Sequence, residues 1–310
     1  MKRMMVLGVL VAVGGLSLAA SGQQPPAGPS AKALAATMIE KVKDNLYIIT
    51  GSGAGDQEAF SGGNVAVFIT DAGVTLVDAK LPGWGQVIVD RVKTVTDKPI
   101  TRIINTHTHG DHTGSNEFFG VSIESIVQEN TKANMEKMDE FKGDKAKFLP
   151  KKTYKDSMTI GSGKDEIDLY YFGRGHTNGD TFVVFKGLRT MHVGDIFAWK
   201  ALPYVDAGNG GSVMEQGKTL SKAVATVRNV DTIINGHIPV STWNDLKEYA
   251  QFTSEFAAFA EKEMKAGKTS AQAADEYKLD PKYKGYVMSV NPAFGDARAN
   301  MDVAYNEMKK

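Results

Sequence analysis

With 310 residues, 42% of them hydrophobic, the chain is long enough to bury one large core or two small ones. Its 36 basic residues balance 36 acidic ones, which removes any electrostatic reason to expect nucleic acid as a partner. The chain has no cysteine, so disulfides and a lipid-anchored lipoprotein are excluded, and any metal site must use imidazole and carboxylate, ligands suited to Zn, Fe, Mn or Ni.

The first segment reads as an address. Lys2 and Arg3 precede an apolar run from Met4 to Ala20, and Ala20-Ser21-Gly22 supplies the small residues for cleavage after Gly22. This layout predicts a signal peptide over 1–22 and a periplasmic or secreted protein with no membrane association after cleavage. An uncleaved anchor is the alternative, because the run approaches the ~18 residues a spanning helix needs. Residues 23–40, opening QQPPAGPS, read as a linker.

Leu46 to Thr50 then reads as a strand, followed by a glycine-rich loop, GSGAGDQEAFSGGN. Asn64 to Thr70 and Val74 to Asp78 form a strand pair around the turn signal Asp71-Ala72-Gly73. A helix is expected over Gly85 to Thr94, then a strand from Ile100 to Asn105. Gln128 to Glu140 has helical character, and Lys152 to Ile160 and Lys164 to Phe172 read as strands around Gly161-Ser162-Gly163. Strands at Thr181 to Phe185, Thr190 to Val193 and Thr232 to Asn235 enclose a helix at Val213 to Val227. From Thr242 onward the pattern is helical, most clearly in DLKEYAQFTSEFAAFAEKEMKAG. The alternation predicts an α/β fold with helix-covered sheets.

Three of the six histidines fall in one stretch, His107-Thr108-His109-Gly110-Asp111-His112. Residues two apart in an extended segment point the same way, so His107 and His109 can face one cation as the strand ends. Gly110 permits a sharp turn that directs Asp111 and His112 to a neighbouring position. One short stretch can thus serve two adjacent metals.

This stretch matches in full the H-x-H-x-D-H signature of the metallo-β-lactamase superfamily, which the sequence resembles from about Leu46 to Trp243. Gly175-His176-Thr177, Gly194-Asp195 and Gly236-His237 follow in the family's order, each after a strand-like run. The resemblance implies a four-layer αβ/βα sandwich over 41–243, with a C-terminal helical extension, 244–310, packed on it. It implies that His107, His109 and His176 hold one metal, Asp111, His112 and His237 a second, and Asp195 bridges both. Catalysis then turns on His107, His109 and Asp111, with zinc, two ions per chain, as the expected cofactor and iron or manganese as alternatives. Zinc lowers the pKa of bound water from ~16 to ~7, and two metals ~3.5–4 Å apart share the resulting bridging hydroxide. Asp78, ending VTLVD, is the candidate to orient an imidazole from behind. His192 lies inside a strand with no matching family position and reads as a structural histidine.

A hydrolase of an ester, thioester, lactone or amide bond, β-lactams included, is the expected activity, with a small-molecule substrate. The absence of cysteine sets the chain apart from metallo-β-lactamases with a cysteine ligand, and the aspartate resembles glyoxalase II-like relatives. Phe197, Trp199 and Tyr204, with the glycine-rich loop, are expected to wall the pocket, and Lys200 to offer an anchor for a substrate carboxylate. An iron-dependent sulfur dioxygenase and a non-catalytic periplasmic metal-binding partner protein are the alternatives.

Overall fold

The computed structural model describes residues 29–309 apart from 52 and 54, so the signal-peptide segment and the first part of the linker, 23–28, lie outside the described residues. In the first half of the chain, α1 (Ala31–Ala36), β1 (Ile39–Lys43), β2 (Leu46–Ile49), β3 (Val65–Thr70), β4 (Gly73–Val77) and α2 (Gly85–Lys93) are followed by β5 (Ile100–Ile104) and a single turn, α3 (Gly110–Thr113). Then come β6 (Glu124–Gln128), α4 (Glu129–Met135) and β7 (Lys152–Tyr154). The second half has β8 (Ser157–Ile160), β9 (Ile167–Tyr170), β10 (Phe182–Phe185), β11 (Thr190–Gly194) and α5 (Val213–Thr226). It closes with β12 (Thr232–Asn235), β13 (Ser241–Thr242), α6 (Trp243–Lys265), α7 (Ser270–Glu276) and α8 (Ala297–Met308).

Seven strands make one sheet in the order β1-β2-β3-β4-β5-β6-β7, and six make the other in the order β13-β12-β11-β10-β9-β8. The period-2 alternation of side chains decides how these sheets stack. On β3, Ala66 and Phe68 face the second sheet, while Val65 and Val67 face Ile88 and Val92 of α2. On β10, Val183 and Phe185 face the first sheet, while Phe182 and Val184 join the core formed with α5, α6 and α8. Both faces of each central strand are therefore buried, giving helix, sheet, sheet and helix as four layers. The C-terminal helices belong to this packing, since Leu246, Phe256 and Met301 share one core with Ile233. Thr242 starts α6 with a capping box closed by Asp245.

The structure corrects the sequence reading in four places. The segment expected as linker to residue 40 contains α1, capped by Ser30, and β1 begins at Ile39; Arg91 of α2 holds this region by donating to the carbonyls of Thr37 and Leu34. The helix expected over Gln128 to Glu140 is only α4, and Gln128 belongs instead to the unforeseen strand β6 and caps that helix. The strand expected over Lys152 to Ile160 is two strands in different sheets, β7 and β8, so the chain changes sheets here. The sharp turn expected at Gly110 is made by a helical turn, α3, which Gly110 opens with right-handed backbone that does not depend on glycine.

Candidate metal centre

The predicted ligands gather where strands end. β5 runs out at Ile104 and delivers residues 107–112, while His176, Asp195 and His237 follow β9, β11 and β12. Asn105 braces the turn from inside, its amide donating to the His112 carbonyl at 3.0 Å.

Two groups of donors form. His107, His109 and His176 make one, and Asp111, His112, Asp195 and His237 the other, each with its ligand atoms within 4.8 Å of one another. In the first, the three rings stand nearly perpendicular, at 84° to 88°, with centroids 4.6 to 4.8 Å apart. His109 Nδ1 lies 2.9 Å from His176 Nε2, and His107 Nε2 is buried with no hydrogen-bond partner. In the second, Asp195 Oδ1 is 3.1 Å from His112 Nε2, Asp195 Oδ2 is 3.1 Å from His237 Nε2, and Asp111 Oδ2 is 3.3 Å from His237 Nε2. Asp195 Oδ2 is also 3.9 Å from His176 Nε2, which sets this carboxylate between the groups.

The far nitrogens are held by the protein. Asp78 Oδ2 accepts from His112 Nδ1 (2.7 Å) and from Thr106 Oγ1 (2.8 Å), and Thr106 Oγ1 in turn lies 2.9 Å from His107 Nδ1. His176 Nδ1 donates to the Tyr204 carbonyl at 2.7 Å, and His109 Nε2 to Asp206 Oδ2 at 2.7 Å. These bonds fix the tautomers, leaving Nε2 of His107, His112 and His176 and Nδ1 of His109 free to coordinate. Asp78 thus stands where the sequence suggested, whereas Asp206 went unforeseen because it lies far along the chain in no motif. His192 is buried outside both groups, its Nε2 3.2 Å from the Asn64 carbonyl and its Nδ1 accepting from Gly194 N.

Charge differs sharply between the groups. Burial, with repulsion from His112 and His176, holds His107 well below the usual imidazole range, and burial lowers His176 to about 4. Burial opposes the charged form of His237 too, but Asp195 and Asp111 outweigh it and raise that ring to about 9; His112 is raised by the same carboxylates and Asp78. Asp111 is drawn down to about 2 by His112 and His237 against burial. Unpartnered buried nitrogen beside pooled carboxylate fits a donor set for divalent cations, and its imidazole and oxygen chemistry suits zinc.

Backbone without side chains makes this convergence possible. A Cβ on Gly63 would fall 2.1 Å from His112 Cε1, and one on Gly236 would fall 1.8 Å from Asp195 Oδ1. Next to the donors lies a cleft of about 360 Å³ walled by Phe60, Leu81, Pro82, Trp199, Tyr204 and Phe294, with Glu140 at its mouth. A larger groove of about 770 Å³ between β1 and β13 is lined by only one of the seven donor residues, His237.

Two of the expected pocket residues, one wall and the anchor, stand elsewhere. Phe197 is fully buried and stacks on Tyr249 with centroids 4.3 Å apart, so it belongs to the core under α6. Lys200 pairs with Asp245 at 2.5 Å and lies over the Tyr286 ring, away from the cleft. Phe60 came from the glycine-rich loop as expected, whereas Phe294 comes from the tail, where the sequence carried no signal.

The profile of the Metallo-beta-lactamase superfamily matches residues 59–237, more than half of the chain. The chain is similar to "Metallo-beta-lactamase type 2" of Elizabethkingia meningoseptica, 26% identical over 254 residues, covering 79% of this chain and 91% of that protein. It is 24% identical over 206 residues to "Metallo-beta-lactamase IND-1" of Chryseobacterium indologenes, covering 63% of this chain and 80% of the other. Among solved structures, TMB-1 superposes with a TM-score of 0.59 at 17% identity, covering 71% of this chain and 97% of its own. The DIM-1 metallo-beta-lactamase gives 0.58 at 20% identity, with the same coverage.

Proposed function

The chain belongs to the metallo-β-lactamase superfamily, and from that premise we propose that it is a dizinc hydrolase of an ester, thioester, lactone or amide bond in a substrate with an apolar or aromatic acyl group. One observation carries the reading: seven donor residues meet as a group of three and a group of four, with Asp195 between them. Divalent cations there would acidify a water and polarise the attacked oxygen.

The chain's own residues do the rest. His107, His109 and His176 would hold the first ion, and Asp111, His112 and His237 the second, with Asp195 serving both. Asp111, about 20% exposed and lining the cleft, would use the carboxylate oxygen left over from holding the ion to orient the attacking water and pass its proton toward the leaving group. No serine or cysteine nucleophile is required. Trp199, Tyr204, Phe60 and Phe294 would seat the acyl group and keep bulk water from it.

β-Lactam cleavage is a branch of this reading, suggested by the names of the relatives. Lys200 does not supply the carboxylate anchor such a substrate calls for, and the charged residue at the cleft's mouth is acidic Glu140, which favours an uncharged acyl substrate. Completeness of the second donor group favours hydrolysis over a mononuclear iron dioxygenase. The N-terminal motif supports export to the periplasm or beyond, and among the described residues no helix is long and apolar enough to cross a membrane.

The deciding experiment is metal analysis of purified protein with a screen of aryl ester, lactone, thioester and nitrocefin-type substrates. About two zinc ions per chain and turnover lost in Asp111→Ala support the proposal. One iron per chain with oxygen consumption refutes it.

A further inference from the structure

Lys80 has no part in the chemistry above, yet it is fully buried, an uncommon placement for an ammonium group. Its partners are a hydroxyl and a peptide carbonyl: Nζ donates to Ser61 Oγ at 3.0 Å and to Gly63 O at 3.1 Å. Gly51, where the glycine-rich loop leaves β2, lies alongside. A Cβ there would fall 2.3 Å from Ser61 Oγ and 3.4 Å from Lys80 Nζ. Nζ therefore sits in the neck of this loop, between Gly51 at its start and Ser61 and Gly63 near its end.

The end of the loop touches the second donor group. Gly63 N donates to the Asp111 carbonyl at 3.0 Å, and the Gly63 backbone abuts the His112 ring so closely that no Cβ fits. Phe60 packs on His237 with ring centroids 5.5 Å apart. Asp111, His112 and His237 are thus each in contact with residues 60–63.

The backbone around Lys80 is equally committed. Ala79 N donates to His112 O at 2.7 Å, Leu81 N to Ser61 O at 3.2 Å, and Gly114 N to Lys80 O at 3.0 Å. Asp78 and Lys80 both take left-handed backbone, at φ 71° and 58°, which residues with side chains adopt rarely and mainly where surroundings impose it. One short strap carries Asp78, which orients His112 from behind, and Lys80, which secures the loop in front.

We propose that Lys80 is a positioning residue whose Nζ pins the neck of the loop, seats residues 60–63 against Asp111, His112 and His237, and so sets the grip of the second site on its metal without governing the first. The inference rests on the two-metal reading for its metal arm only. A rival role is open to test: when protonated, Nζ near Asp111 also repels a divalent ion, and if repulsion dominated, removing the amine would tighten the second site.

The test is Co2+ titration of metal-free wild-type, Lys80→Met and Ser61→Ala proteins, followed by visible absorption, with hydrogen exchange measured on peptides covering 55–63. In Lys80→Met the second cobalt should bind at least about tenfold more weakly while the first changes by less than about threefold, the range seen when an outer partner of a ligand is lost. Residues 55–63 should lose exchange protection, and Ser61→Ala should move both readouts the same way by less. An unchanged or tighter second site, or equal weakening of both, overturns the inference. Wild-type protein that takes up only one cobalt refutes the two-metal reading instead, and the exchange data then decide: unaltered protection of 55–63 in Lys80→Met removes the pin. If Lys80→Met does not fold, Ser61→Ala carries the same two criteria.

Discussion

Asp206 Oδ2 accepts from His109 Nε2 at 2.7 Å, joining two residues 97 positions apart. The bond turns Nδ1 of His109 toward His107 and His176, and Asp206 is itself steadied by Asn209, which donates to it from both backbone and side chain. Asp206→Ala is expected to weaken the first metal by about 10- to 100-fold and leave the second nearly untouched, as for other outer partners of ligating histidines. Stepwise metal titration checks this; equal loss at both sites contradicts the assignment.

Two glycines close to the donors have opposite tolerance. A Cβ on Gly63 has nowhere to go but into His112, so Gly63→Ala should abolish second-site binding and cut turnover by at least about a hundredfold. Gly110 has helical backbone, and a Cβ added there would meet nothing within 4 Å, so Gly110→Ala should be neutral or stabilise by up to ~1 kcal/mol. Thermal melts and metal content of the two variants separate the outcomes.

The two donor groups should answer differently to pH. His107 and His176 have imidazole pKa values held low, at about 4 for His176, so at neutral pH they are ready to bind a cation without releasing protons. His237, raised to about 9, and His112, also raised, must each give up a proton first. Apparent affinity at the second site should therefore climb with pH from neutrality toward 9, about tenfold per unit for each proton displaced. Calorimetry in buffers of different ionisation enthalpy counts those protons directly, and a second binding step that releases none contradicts the scheme.

Side chains in the segment after Asp195 should sort by direction. Trp199→Ala removes a cleft wall and should raise KM by about tenfold or more, the scale of one aromatic burial, and it should lower the melting temperature too, because the ring is largely buried and its Nε1 donates to Leu202 O. Phe197→Ala removes core packing against Tyr249 and should cost about 3–5 kcal/mol of stability. Lys200→Ala loses a partly exposed ion pair with Asp245, worth about 1 kcal/mol or less, and should leave kinetics unchanged. A strong kinetic effect of Lys200→Ala would return that residue to the substrate.

These contrasts show which information a linear sequence carries. His107 to His112 announced themselves because four donors share one strand end, and His176, Asp195 and His237 because each follows an apolar strand-like run. β3 and β10 were legible from apolar content and turn signals. β1 was not, since IEKVK at a sheet edge is half solvated and its charges mask the pattern. Asp206, Lys80 and Phe294 reach the site only through tertiary folding, and nothing local distinguishes them from surface residues. Aromatic richness located a wall after Asp195 but not which rings face it, because the short helical turn there sends Phe197 inward and Trp199 toward the cleft.

Among the described residues all strands of the first sheet precede all strands of the second, and the chain passes between sheets just once, at residues 155–156. The seven donor side chains are consequently divided by that crossing, with four on one side and three on the other. Severed there, neither fragment would keep a full set of either donor group, and a divalent cation would serve as the adhesive for their reunion. Adding chelator or zinc to such a pair would switch complementation off or on, turning the fold's simple two-part layout into a readable sensor of metal supply.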